Sequence, residues 1–233
     1  MTALSPTDGH NDPYLWLEDI EGDKAVGWVD AQNKRTDGFL VDVGYQRDFD
    51  AVMKILDADD RIPFVGKSGD YLYNFWKDAE NPRGLWRRTT LESYRKDKPE
   101  WDVLLDIDAL NAAEGVSWAF AGAARSPDKT RALVSLSFNG TDAIEVREFD
   151  IATKSFVAGG FVIPQAKTQV SWIDQDTLLV GSASGPEHTT EAGYTRTVRK
   201  WTRGTPFDAA EVVFEVEQQG CRRLVRRQSA TEP

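Results

Sequence analysis

Short stretches rich in aromatic and β-branched residues recur through most of the chain and constrain its fold more than any other feature. Each of three comparable groups has one most apolar stretch, at 71–76, 132–138 and 177–181. A further strand-like stretch follows in each group, at 85–89, 144–149 and 197–201. The groups are spaced by roughly 45 to 60 residues, a period that is typical of repeat architectures.

Turn signals separate several of these stretches: Ser126-Pro127-Asp128, Asn139-Gly140 and Gly204-Thr205-Pro206. Groups of four short strands at this period are typical of β-propeller blades, which are small sheets whose faces pack against their neighbours. The pattern therefore predicts a mainly β protein with about three blades of a β-propeller. A β-sandwich with irregular loops stays open as the alternative, because the repeat is degenerate.

The N-terminal part has a different periodicity. Residues 23–57 predict helices, with Asp23 as an N-cap and Gly44 separating two helices. Five apolar residues fall on one face at helical spacing: Tyr45, Phe49, Val52, Met53 and Leu56. We therefore divide the chain into a helical segment (1–62), a partial β-propeller (63–217) and an atypical basic tail (218–233).

Composition excludes several classes of function. The net charge is -10 among 233 residues, which disfavours a nucleic-acid partner because phosphate binding needs a basic face. No stretch approaches the ~20 apolar residues of a membrane span, and residues 1–10 lack the basic and apolar regions of a signal peptide. We expect no membrane association and a cytoplasmic location.

One cysteine, Cys221, and two distant histidines predict no disulfide, metal site or cofactor.

Four blocks carry a family resemblance: DPYLWLED at 12–19, WVDAQN at 28–33, SPDKTRALVSLS at 126–137 and YTRTVRKW at 194–201. Together they resemble, in the same order, the start of the prolyl oligopeptidase family of serine peptidases. The resemblance extends from Asp12 to about Glu217.

In that family, the N-terminal helices pack on an α/β-hydrolase domain, and a propeller of about seven blades restricts access to its active site. The family hydrolyses short peptides, often after proline. Its serine, aspartate and histidine triad lies in the hydrolase domain. The resemblance therefore implies that this chain is the N-terminal propeller portion of such a peptidase and is inactive alone, with the hydrolase domain as partner. The alternative is a free-standing propeller that serves as a binding module.

The residues themselves also fail to indicate a catalytic site. A nucleophile elbow has the pattern Gly-x-Ser-x-Gly, but the stretch at 181–185 has Ala183 at its centre and the stretch at 66–70 ends on Asp70. The two candidate bases, His10 and His188, lie in polar stretches where we expect solvated side chains. We therefore predict no catalytic, cofactor-binding or metal-binding residue.

Two other patterns have structural explanations. The acidic run at 57–60 lacks the glycine and later glutamate of a calcium loop, so we interpret it as a solvated helix end. Tryptophans can line a ligand groove, but five lie in or beside predicted strands, where we expect core packing. These are Trp76, Trp86, Trp118, Trp172 and Trp201.

The tail differs from the rest of the chain because it contains four arginines within 222–227. Our hypothesis is that it is translated out of frame, or past a lesion, in a longer peptidase gene, and that it is disordered. A basic arm for nucleic acid or membrane is the alternative.

A set of about three blades would leave two sheet faces unpaired, so we expect marginal stability and self-association through those faces.

Overall fold

The computed structural model describes residues 12–19, 21–41, 44–58 and 60–219. The chain divides into two compact units, residues 1–58 and residues 59–233. The basic tail beyond residue 219, together with His10 and Cys221, lies outside the described residues.

The first unit is helical. A 3₁₀ turn at Leu15–Glu18 precedes helix α1 (Asp23–Val41), and helix α2 (Tyr45–Leu56) follows. Gly44 is the N-cap of α2 and adopts a left-handed conformation with φ of 80°, which glycine adopts without a steric cost. The prediction of two helices separated at Gly44 is confirmed.

The predicted apolar face of α2 does form, but its side chains remain in solvent. Tyr45, Phe49 and Val52 are 44%, 46% and 53% exposed. Among the described residues of this unit, Ala25 is the one buried hydrophobic residue. No described helix of the chain is both long and apolar enough to cross a bilayer.

The second unit contains three antiparallel sheets that follow one another along the chain. The first sheet has the strand order β1 (Gly66–Ser68), β2 (Tyr71–Trp76), β3 (Leu85–Thr90), β4 (Asp102–Asp106), with helices α3 (Leu91–Tyr94) and α4 (Ile107–Glu114). The second contains β5 (Trp118–Arg125), β6 (Arg131–Phe138), β7 (Ile144–Asp150), β8 (Ser155–Phe156) and β9 (Val162–Ala166). The third has the order β10 (Thr168–Asp174), β11 (Thr177–Ser182), β12 (Thr197–Thr202), β13 (Glu211–Glu215).

The predicted repeat corresponds to equivalent strands of these sheets. The three most apolar stretches are β2, β6 and β11, which are the second strands, and the stretches that follow them are the third strands β3, β7 and β12. The second sheet departs from four strands because β8 and β9 both pair with β7. Phe156 lies opposite Phe149, whereas Ile163 lies opposite Val146, so two short strands share the outer edge.

Turn chemistry fixes two of the hairpins. Asn139 and Gly140 both have positive φ, 51° and 79°, which matches the tight turn that Asn-Gly favours between antiparallel strands. At the Ser-Pro-Asp turn, the Ser126 hydroxyl donates to Asp128 Oδ1 at 2.6 Å and the Arg131 amide donates to Ser126 Oγ at 3.0 Å. These bonds close the connection between β5 and β6.

The hydrophobic core forms two clusters, each between two neighbouring sheets. Trp86, Trp118 and Phe149 belong to the cluster between the first and second sheets, and Phe161 and Trp172 belong to that between the second and third. Strand β6 contributes to both clusters, because alternate residues of a strand point to opposite faces. The second sheet is therefore buried on both faces, whereas the outer faces of the first and third sheets lack a described neighbouring sheet.

Candidate functional site

The serines in the two glycine-flanked stretches have structural roles. Ser68 ends β1 at a turn through Gly69, which has φ of 60°. Ser182 ends β11, is buried, and shares a hydrogen bond with the Thr168 hydroxyl at 2.9 Å. A three-residue 3₁₀ turn, Pro186–His188, follows the second stretch. Neither stretch has the strand-to-helix geometry of a nucleophile elbow.

His188 is not solvated, so that expectation is wrong. Its side chain is 12% exposed, and its Nε2 atom lies 3.0 Å from Nη2 of Arg199 and 3.1 Å from a carboxylate oxygen of Glu187. The loop is closed by backbone bonds, including the Arg196 amide to the His188 carbonyl at 2.7 Å, and these hold the ring against β12. The polar composition of the segment indicated a solvated loop, and it contains no signal for the backbone bonds that close it. The partners of the ring are an arginine and a glutamate, neither of which is a hydroxyl nucleophile.

Asp57 of the acidic run and the five tryptophans also have definite positions, whereas Asp59 of that run lies outside the described residues. Asp57 caps the C-terminus of α2, and the described residues contain no group of three or more metal-ligating side chains. Four of the five tryptophans are buried at 3% to 8% exposure, which confirms their core packing: Trp86, Trp118, Trp172 and Trp201. Trp76 differs, because it is half-buried and lines a cavity.

This cavity has a volume of about 530 Å³ and lies on the outer face of the first sheet. Tyr73 and Phe75 point toward the second sheet, where Phe75 stacks on Phe120 at 4.5 Å between ring centroids. By strand alternation, Asn74 and Trp76 point the opposite way. The cavity is therefore on the side that no described sheet covers.

Arg87 is the central polar residue of the cavity. Its guanidinium carbon lies 4.6 Å from the centre of the Trp76 ring and 4.1 Å from that of Trp101, and its Nε atom donates to Asn74 Oδ1 at 2.9 Å. Arg61 also lies over Trp76, at 4.5 Å. Burial lowers the pKa of Arg87 to about 10, and the negative charge of Asp78 offsets only part of this effect. The guanidinium is cationic at neutral pH, and the residue as a whole is 9% exposed.

The segment before β1 forms one wall of the cavity. Its backbone is held by the Asn74 amide, which donates to the Phe64 carbonyl at 2.8 Å, and by the Tyr94 hydroxyl, which donates to the Pro63 carbonyl at 2.9 Å. Ile62 and Phe64 nevertheless expose 83% and 96% of their surface. The backbone of this segment is thus fixed by hydrogen bonds while the side chains of Ile62 and Phe64 face solvent.

A second polar centre lies between the second and third sheets. Glu148 on β7 is 1% exposed, and its carboxylate accepts from Arg203 Nη1 at 2.7 Å and Nη2 at 2.9 Å. It also accepts from Arg131 Nη1 and from the Phe161 amide, both at 2.8 Å. Burial raises the pKa of Glu148, but the Arg203 guanidinium, the Phe161 amide and Arg131 outweigh it, so the pKa lies below its ordinary value. No pattern in the sequence indicated this centre.

Three further contacts join neighbouring sheets. Trp172 Nε1 donates to the Ala124 carbonyl at 2.8 Å, and Gln175 Nε2 donates to Asp128 Oδ2 at 2.7 Å. Lys154 pairs with Asp102 at 2.5 Å between the second and first sheets. Three consecutive antiparallel sheets that pack face to face in this way define part of a β-propeller, as the strand pattern predicted.

Comparison with known proteins identifies which propeller family this is. The sequence profile described as "Prolyl oligopeptidase, N-terminal beta-propeller domain" matches residues 3–231. The chain therefore belongs to the prolyl oligopeptidase family and corresponds to its N-terminal propeller domain. The match continues beyond Glu217, so it includes the tail where we expected the resemblance to end.

Individual relatives agree with this assignment. The chain is 42% identical over 208 residues to "Uncharacterized peptidase y4nA" of Sinorhizobium fredii, covering 88% of this chain and 28% of the relative. It is 31% identical over 215 residues to "Uncharacterized peptidase RP174" of Rickettsia prowazekii, covering 88% and 30%. The solved structure of a post-proline cleaving enzyme from Rickettsia typhi matches with a TM-score of 0.81 at 32% identity, covering 87% and 31%. The chain thus spans less than a third of the length of these relatives.

Proposed function

We propose that this propeller portion restricts substrate access in a prolyl oligopeptidase-like serine peptidase that acts on short peptides, often after proline. We also propose that residues 1–233 alone have no hydrolytic activity. Both proposals rest on the match of residues 3–231 to the N-terminal propeller domain of the family. The surroundings of His188 support the proposed lack of activity, because its ring contacts an arginine and a glutamate rather than a serine.

The proposed partner is an α/β-hydrolase domain, and the first unit has a surface suited to it. The apolar face of α2 is exposed along its length, and Phe39 and Val41 of α1 are 72% and 68% exposed. Exposed apolar patches of this kind are typical of surfaces that another domain covers. We also propose that the chain self-associates through the open faces of its first and third sheets. We further propose a cytoplasmic location, which fractionation of cells that express the chain would test.

The activity of the isolated chain is tested with chromogenic peptides that contain proline. We expect no hydrolysis above the buffer rate. Hydrolysis that a serine-reactive inhibitor abolishes would contradict the proposal. The Rickettsia typhi enzyme, named as a post-proline cleaving enzyme, is the positive control.

The restriction of access is tested with a chimera in which residues 1–219 replace the matching region of the Rickettsia typhi enzyme. We expect the chimera to hydrolyse short proline-containing peptides and to leave an unfolded protein substrate intact. A matched deletion that lacks the propeller should lose this discrimination. Equal cleavage of long and short substrates by a folded chimera would refute the gating role.

A further inference from the structure

The ring of His188 lies between two opposite charges in the connection from β11 to β12. Its Nε2 atom is 3.1 Å from a carboxylate oxygen of Glu187 and 3.0 Å from Nη2 of Arg199, and its Nδ1 atom is 3.3 Å from the same Nη2. Histidine is the side chain that ordinarily changes charge between pH 5 and 8. Both contacts are therefore open to control by pH.

Arg199 lies in the interior of the propeller portion and not on an open face. It is opposite Val180 of β11, and Val180 belongs to the apolar cluster between the second and third sheets. Residues directly opposite on neighbouring strands share a face, so Arg199 faces the second sheet. The residue is 9% exposed. Its position does not depend on what covers the outer face of the third sheet.

The guanidinium of Arg199 has few acceptors besides the ring. No carboxylate of the described residues lies within 4.0 Å of its nitrogens, its Nε atom has no hydrogen-bond partner among them, and Nη1 reaches the Phe207 carbonyl at 3.4 Å. One neutral tautomer of His188 satisfies both neighbours, because Nε2 donates to Glu187 while Nδ1 accepts from Arg199. The buried charge thus depends on a neutral ring for a close acceptor.

We propose that His188 is a pH-sensitive switch that holds the loop at residues 185–196, the His188 loop, against β12 while its ring is neutral and releases it when the ring is protonated. An imidazolium donates from both nitrogens and accepts from neither, so Arg199 loses an acceptor and gains a second cation 3.0 Å away. The attraction of Glu187 offsets only part of this repulsion, because that side chain is 65% exposed and screened by water. The closed loop is therefore favoured at neutral and basic pH and is lost as the pH falls.

The other charged groups near the loop are paired with one another or lie apart from the ring. Arg196 donates from Nε to the Glu187 carbonyl at 2.9 Å, and its guanidinium forms an ion pair with Glu215 of β13. Arginine and glutamate ordinarily keep their charges between pH 5 and 8, so His188 is the group of this cluster that changes charge. The remaining charged side chains of the loop and of the neighbouring described elements make no hydrogen bond or ion pair with the ring: Lys167, Glu191, Lys200 and Asp208.

The His188 loop can open without loss of the third sheet. The pairing of β11 with β12 runs from Thr177 opposite Thr202 to Val180 opposite Arg199 and does not include the loop. The backbone bonds of the loop are mostly its own, such as the Thr190 amide to the Tyr194 carbonyl at 2.8 Å, and one reaches Gln218 from the Glu191 amide at 2.8 Å. Release should therefore affect the loop and the residues just after β13, and should leave the strands paired.

Hydrogen–deuterium exchange of the full chain, resolved by mass spectrometry to peptides within 185–196, tests the proposal. Exchange rates are first corrected for the intrinsic effect of pH on amides. Protection of the His188 loop should then fall by at least about tenfold between about pH 7.5 and about pH 5.5. Strand β6, which is buried at the centre of the second sheet, should keep its protection over the same range and serves as the internal reference.

Substitution separates the charge of the ring from its shape. His188→Gln provides a neutral group that can accept from Arg199 and donate to Glu187, so the loop should stay protected at both pH values. His188→Lys carries a positive charge throughout this range and should leave the loop unprotected at both. The matched control is His10→Gln, which removes the other histidine of the chain and should retain the pH dependence of the wild type.

Three results would overturn the proposal. These are equal protection of the wild-type loop at the two pH values, a pH dependence that persists in His188→Gln, and a protected loop in folded His188→Lys. Loss of protection in β6 together with the loop would show global unfolding and would likewise overturn it. If His188→Lys fails to fold, the comparison of wild type with His188→Gln decides.

Discussion

Arg203 and Glu148 lie 55 residues apart in sequence and form a two-point ion pair across the boundary between the second and third sheets, with N to O distances of 2.7 and 2.9 Å. Arg203 also pairs with Asp176 at 2.7 Å on the solvent side. The carboxylate of Glu148 is therefore fully satisfied although it is buried, and its bonds to Arg203 join two sheets that would otherwise be held mainly by apolar contacts.

Glu148→Gln should destabilise the protein by about 3–5 kcal/mol, because it leaves two guanidiniums beside a buried neutral amide. Urea unfolding followed by tryptophan fluorescence would measure the change. The matched control is Asp176→Asn, which removes an exposed partner of the same arginine and should cost less than about 1 kcal/mol. Equal effects of the two substitutions would show that burial of the pair does not matter.

The same ion pair predicts an acid-dependent loss of stability. The pKa of Glu148 is lower in the folded state than its ordinary value, which is about 4.3. The ionised carboxylate therefore stabilises the fold fully above that ordinary value, and this stabilisation is lost as the pH falls through the pKa of the folded state. The difference in unfolding free energy between wild type and Glu148→Gln should therefore be largest at neutral pH and shrink below pH of about 4. A constant difference across this range would contradict the assignment.

Gly84 should not tolerate a side chain. Its φ is 103°, and an added Cβ would lie 2.5 Å from the Phe75 ring and 2.9 Å from the Trp76 carbonyl oxygen. We expect Gly84→Ala to cost about 2–5 kcal/mol from backbone strain and overpacking. Gly140→Ala has φ of 79° but no atom within 4 Å of the added Cβ, so it should cost only about 1–2 kcal/mol in the same unfolding experiment.

Self-association should depend on two exposed apolar side chains in the segment before β1. The double variant Ile62→Ser, Phe64→Ser removes two side chains that are 83% and 96% exposed. It should lower the fraction of dimer and larger species in sedimentation velocity and leave the unfolding free energy within about 0.5 kcal/mol of wild type. The control Val162→Ser removes an apolar side chain that is 51% exposed on β9, outside this segment. A monodisperse wild-type monomer at all concentrations would refute the association.

Local patterns were sufficient to locate the regular elements. The most apolar stretch of each group, which forms β2, β6 or β11, identified the repeat, and Asn139-Gly140 and Gly44 identified a hairpin and a helix boundary. These signals depend only on near neighbours in the chain. The splitting of the outer edge of the second sheet into β8 and β9 was not predicted. It depends on which residues of β7 each short strand meets, which is a tertiary pairing.

The sequence by itself determined the repeat of strands, the helical N-terminal segment and the family. Only the tertiary structure decided the polar centres. Glu148, Arg131 and Arg203 are ordinary charged residues of an acidic chain until sheet packing buries them together, and Trp76 became a cavity wall because it lies on the face opposite Phe75. His188 is likewise shielded from solvent because its loop closes on β12. Charge and aromaticity are properties of single residues, whereas burial and pairing depend on which distant segments the fold brings into contact.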